Sequence, residues 1–134
     1  MITVVPSRRT TPSAQGGQNF TGSVWKDPIL PRTGDGVGIA NIHFAPGART
    51  HWHTHEGGQI LIVVAGEGLV GDADGTVLVS AGDVAWTPGG TAHWHGATSD
   101  RYMIHTAISL AGVDWHDELS EQDYLAAVAA TLTS

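Results

Sequence analysis

An all-β barrel with one short C-terminal helix is the fold class that the sequence predicts, and three observations lead to it. Short apolar and β-branched runs recur between turn signals, eighteen glycines punctuate a chain of 134 residues, and helical spacing takes over at about residue 118. The length suits one domain able to bury a core without staples. We expect a single domain over 1–134, with an arm at 1–18, the barrel at 19–112 and a helical tail at 113–134.

Taken in order, residues 2–5 are expected to form a short edge strand, followed by a polar, Gly-rich surface arm from Ser7 to Gln18. Strands are expected near 21–25, 37–45, 59–65, 76–80, 83–87 and 101–109. Within Gly38 to Phe44, the apolar Ala40, Ile42 and Phe44 alternate with Asn41 and His43, which turns the apolar set inward and His43 outward. Ala45-Pro46-Gly47, Asp74-Gly75, Ala81-Gly82-Asp83 and Pro88-Gly89-Gly90 read as turns. In the tail, Ser120 with Asp123 three residues on forms a capping-box-like start, Glu121 and Asp123 suit the positive helix end, and Tyr124, Leu125 and Val128 recur at helical spacing.

Composition excludes several functions. There is no cysteine, so any metal must be held by nitrogen and oxygen. Six basic against thirteen acidic residues give a formal charge of -7, which disfavours nucleic acid and anionic membranes. No apolar stretch approaches the roughly 20 residues that cross a bilayer, and the N-terminus lacks the marks of a secretory signal. A cytoplasmic protein acting on a small molecule is the expectation.

Chemistry concentrates in His51-Trp52-His53-Thr54-His55-Glu56-Gly57-Gly58-Gln59. Residues two apart on a strand share a face, so His53 and His55 can aim their imidazoles at one point. Gly57-Gly58 permits a sharp turn, from which the Gln59 amide can return to that point. A histidine of His93-Trp94-His95, behind its own Pro-Gly turn, could complete the set. His51 and His95 share parity with their neighbours and could face the mouth of the cavity or bond near its rim.

These residues resemble the cupin superfamily. Gly47, His53, His55 and Gly66 fall at the spacings of its first motif, with Gln59 in the place of the acid. Gly82, Pro88, Gly90 and His93 fall at those of the second, with Ala97 in the place of the terminal asparagine. The fold this implies is the double-stranded β-helix, or jelly-roll barrel. A narrower likeness, carried by Phe20-Thr21-Gly22, residues 45–50, Gln59, His93 to Ala97 and Val113-Asp114-Trp115, is to the manganese-dependent hydroxynitrile lyases of that superfamily.

That resemblance implies a divalent metal, manganese, on His53, His55, Gln59 and His93, with His105 as the catalytic base; nitrogen and oxygen ligands suit iron, zinc, nickel or cobalt as well. It also implies a homodimer or homotetramer, for which Met1 to Val5 offers an edge. Inward parity assigns Ala40, Ile42, Leu61, Val63, Ala107 and Ser109, with His95, to the substrate pocket. The expected reaction is cyanohydrin cleavage into aldehyde and HCN, or the reverse. An iron-dependent dioxygenase and a non-catalytic metabolite-binding barrel are the competing readings, since a fold alone does not fix a function. His43 and His116 are expected at the surface, Arg49 in a structural role, and Trp25, Trp52, Trp86, Trp94 and Trp115 in packing or subunit contacts.

Overall fold

A computed structural model of the chain describes residues 1–8, 10–34 and 36–132. Twelve strands and one helix follow in the order β1 Ala14–Gln15, β2 Phe20–Thr21, β3 Val24–Leu30, β4 Val37–Phe44, β5 Arg49–Thr50, β6 His53–His55, β7 Gln59–Asp72, β8 Gly75–Ser80, β9 Val84–Thr87, β10 His93–Ala97, β11 Met103–Leu110, β12 Val113–Trp115 and α1 Glu121–Leu132. Every pairing is antiparallel.

The strands curl into two facing sheets joined by β7. Its first half pairs with β11 and β9, in the sheet that continues through β4 and β3. Its second half pairs with β10 and β8, in the sheet that also carries β5, β6 and β12. Gly66 lies where β7 passes from one sheet to the other, at φ 77°, and a Cβ there would stand 2.0 Å from the Tyr102 carbonyl oxygen. Only glycine lets the strand turn at that point. The core between the sheets is Val24, Ile42, Phe44, Leu61, Val63, Val79, Met103 and their neighbours.

Helix α1 covers the outside of the second sheet, where Leu69, Trp94, Leu119, Tyr124 and Val128 form a second buried cluster. It begins as the sequence predicts, with the Asp123 amide donating to Ser120 Oγ at 3.1 Å. Tyr124 and Val128 are buried, whereas Leu125 faces outward. Arg49 ties the helix to the barrel. It is 3% exposed, donates to the carbonyls of Gly47 and Leu119 and to Glu121, and lies 4.3 Å over the Tyr124 ring.

The structure departs from the sequence reading in places. Residues 2–5 form no strand; Ile2 and Val4 are exposed, and no strand among the described residues pairs with them. The arm contributes β1, whose Ala14 and Gln15 pair with Lys26 and Trp25. Val113–Trp115 is a strand paired with His53–His55, and the run read as 21–25 extends in β3 to Leu30. Among the described residues no helix is long and apolar enough to cross a membrane.

Candidate metal centre and active site

His53 and His55 project from β6 toward the same interior point because the strand repeats every second residue. β10 pairs with β6 at His93↔His53, which brings the third imidazole alongside. Their ligand atoms lie within 4.8 Å of one another, and all three residues are buried. Gln59 opens β7 after Gly58, whose φ of 94° makes the turn. Its side-chain nitrogen donates to Ser109 Oγ at 3.1 Å, which aims Oε1 at His93 Nε2, 3.0 Å away.

The donor set fits a divalent ion. Gln59 Oε1 and His93 Nε2 stand 3.0 Å apart, so the amide oxygen joins the three imidazoles in offering the nitrogen and oxygen donors that a divalent ion would take. His53 Nδ1 bonds the His51 carbonyl at 2.9 Å and His93 Nδ1 the Thr91 carbonyl at 3.0 Å. Each of those rings therefore carries its proton on Nδ1 and presents a bare Nε2 to the cluster. Both nitrogens of His55 are buried without a hydrogen-bond partner, an expense of roughly 1–3 kcal/mol that a ligand bond would offset.

Burial keeps these rings neutral, the form that binds metal. It pushes His53 down to about 3, with further lowering by His93 and His55. His55 falls to about 4, by burial first and then by His93 and Arg32. Burial also lowers His93 and takes His105 down to about 4. His95 lies well below its usual value, through burial and then through His105, His53 and His93.

A group whose folded value is depressed stabilises the fold above its unfolded value of 6.5 and loses that contribution as the pH falls through the folded value. Moving one imidazole from 6.5 to about 4 corresponds to roughly 3 kcal/mol. Thermal melts of chelator-treated protein are accordingly expected to fall steeply as the pH drops from 6.5 toward 4. A melting temperature that stays level across that interval would contradict the neutral buried cluster.

A second histidine pair stands beside the ligands. His105 on β11 and His95 on β10 meet across the barrel at 2.9 Å, Nε2 to Nδ1. His95 lines a cavity of ≈ 440 Å³ together with His53, His55 and Gln59, whereas His105 is 0% exposed and does not line it. His95 Nε2 is buried with no hydrogen-bond partner. It is His95, then, that meets the cavity, with His105 behind it.

The remaining pocket residues separate by depth. Ala40, Ile42, Ala107 and Ser109 line the cavity. Leu61 and Val63 share their parity but are sealed in the core at 1% and 3% exposure, and do not line it. Trp115 also lines the cavity and lies over His53, with ring centroids 4.6 Å apart. Lys26, Pro28, Leu30 and Arg32 contribute a wall that the sequence reading missed. His51 offers its carbonyl to His53 but does not line the cavity, and Glu56 and His116 are exposed. His43 faces outward, 3.2 Å from Asp27. Trp94 is buried under the helix, whereas Trp25 and Trp86 are exposed.

Residues 40–108 match the cupin domain family. The chain belongs to the cupins. Over 111 residues, 78% of this chain and 85% of the relative, it is 43% identical to the (R)-mandelonitrile lyase of Granulicella tundricola. Among solved structures, this cupin is similar to a cupin-like protein from Thermotoga maritima, with a TM-score of 0.77 and 32% identity over 95% of this chain and 96% of that one. It is also similar to a predicted oxalate decarboxylase from the same organism, with a TM-score of 0.66 and 25% identity over 82% of this chain and 100% of that one.

Proposed function

We propose that this cupin is a manganese-dependent hydroxynitrile lyase, which cleaves a cyanohydrin to an aldehyde and HCN and joins them in reverse. One observation carries the reading: His95, whose Nε2 has no hydrogen-bond partner, lines the same cavity as His53, His55 and Gln59 of the donor set, with His93 grouped beside them. The 43% identical mandelonitrile lyase supports it.

With four neutral donors, a divalent ion would keep its charge and supply a Lewis acid for the hydroxyl or carbonyl oxygen. The chain's own residues handle the proton and the carbon skeleton. With His95 Nδ1–H donating to His105 Nε2, the other ring nitrogen, Nε2, is a bare lone pair on a residue that lines the cavity. It takes the cyanohydrin hydroxyl proton as the carbon–carbon bond breaks, the bonding pair leaves with cyanide, and Nε2–H then protonates cyanide to HCN. His105 relieves the transient imidazolium by accepting the hydrogen bond from the opposite ring nitrogen. Ala40, Ile42, Ala107 and Trp115 give the organic group an apolar wall and exclude water.

The test is to incubate manganese-loaded protein with each enantiomer of mandelonitrile and follow benzaldehyde. Release above that of metal-free protein, faster for the R form, is expected, and equal rates with and without metal would overturn the lyase.

For quaternary structure we propose a homodimer. The outer face of the first sheet leaves Ile62, Val64, Val84 and Trp86 exposed on two paired strands, the kind of patch that a second copy covers. Light scattering is expected to give twice the chain mass for the wild type and the single mass for Val84→Asp. A wild type of single mass would contradict the dimer.

A further inference from the structure

The chain carries six Lys and Arg against thirteen Asp and Glu. Its cavity reverses that balance: Lys26 and Arg32 line it, and no Asp or Glu does among the described residues. Neither cation has a carboxylate partner among the described residues, where the two side-chain ion pairs are His43 with Asp27 and Arg49 with Glu121. Lys26 Nζ instead lies 5.5 Å from the ring centre of Phe20, another cavity residue, and Arg32 donates to the Gly34 carbonyl.

The strand register fixes where these charges stand. Lys26 is opposite Ile42, which is opposite His105, so it occupies the row of the proposed proton-transfer pair. Arg32 packs beside Gly38, where a Cβ would lie 3.0 Å from the Arg32 Cβ. Gly38 is opposite Ser109, the residue that holds the Gln59 amide. Both cations thus belong to the β3 side of the cavity, across the barrel from the histidines of β6 and β10.

Two cations with no carboxylate partner among the described residues, facing an uncharged ligand set, make a positive cavity in an acidic protein, at a cost in mutual repulsion. A substrate that brings a negative charge offsets the cost and is drawn in by the same field. A neutral substrate leaves it uncompensated. We infer that the substrate of this site is an aldehyde, or its cyanohydrin, bearing a carboxylate at the end remote from the reacting carbon, held by Lys26 and Arg32. The reacting group rests on the lyase reading; the carboxylate rests on the two cations alone.

The experiment compares 4-carboxybenzaldehyde with methyl 4-formylbenzoate, its neutral ester. Their dissociation constants are measured by calorimetry without cyanide, on manganese-loaded and on metal-free protein at low ionic strength. The wild type is expected to bind the carboxylate on the order of tenfold more tightly than the ester, in both forms, with the ratio shrinking as salt is added.

In the double variant Lys26→Met, Arg32→Met the ratio is expected to collapse to about one, while Lys26→Arg retains it. Equal affinities in the wild type would overturn the inference. So would a ratio that survives in the double variant, since the carboxylate would then sit on the metal ligands or elsewhere. Adding cyanide separates the two readings: no cyanohydrin from either aldehyde would end the lyase reading, while the binding ratio would still stand or fall on its own. Neither side chain is buried, so circular dichroism melts of the variants are expected to match the wild type.

Discussion

Replacing His93 with alanine is expected to strip the protein of its metal and abolish turnover. His93 sits at the centre of the donor set, with its ring 4.2 Å from that of His53 and 5.4 Å from that of His55 by centroids, and with Gln59 Oε1 against its Nε2. Losing an outer-shell partner of a metal ligand typically costs 10–100-fold in affinity, and losing a ligand itself costs more. We expect metal affinity to fall by more than ~100-fold and activity with it.

Metal-to-protein ratios after gel filtration, read by elemental analysis, check this directly. His43→Ala serves as the control, because that ring faces outward beside Asp27. Retention of full metal by His93→Ala would remove the residue from the centre.

The second large effect is expected at the histidine pair, where His95→Ala should lower kcat by roughly 10²–10⁴-fold, the usual worth of a positioned acid–base group. KM and metal content should change little, since His95 is outside the donor set. His105 acts through His95 and is a positioning residue, so His105→Ala should cost less, and the double variant should be no worse than His95→Ala alone. Multiplying losses in the double variant, or full activity in His95→Ala, would show that the two rings do not work as a unit.

The convergence of His53, His55 and Gln59 is legible in the sequence because it depends on local rules: strand parity puts His53 and His55 on one side, and Gly58 makes the turn that returns Gln59. His93, rather than His95, follows from the likeness to the second cupin motif. The turn residues and the Ser120 cap are local in the same way. What sequence alone does not reveal is depth. Parity turns Leu61 and Val63 inward, but only closure of the two sheets determines that they are sealed in the core while Ala40 and Ala107 reach the cavity.

The order of His95 and His105 has the same origin. They come from strands in facing sheets, and the one in front is fixed by how those sheets meet. Lys26 escapes notice for a different reason. Pro28 and the charged residues around it mask the continuation of β3 beyond Trp25, although Pro28 lies within the strand opposite Ala40. Val113–Trp115 is too short for any period to register, yet it lays Trp115 over His53.

Diffraction from crystals grown with manganese, recorded on both sides of the metal's absorption edge, tests the four-residue centre most directly. One anomalous peak is expected in each chain, at about 2.0–2.3 Å from a ring nitrogen of each of His53, His55 and His93 and from Gln59 Oε1, beside His95. A peak elsewhere, or none while Gln59 Oε1 and His93 Nε2 stay bonded to each other, would contradict the metal centre and the lyase chemistry built on it.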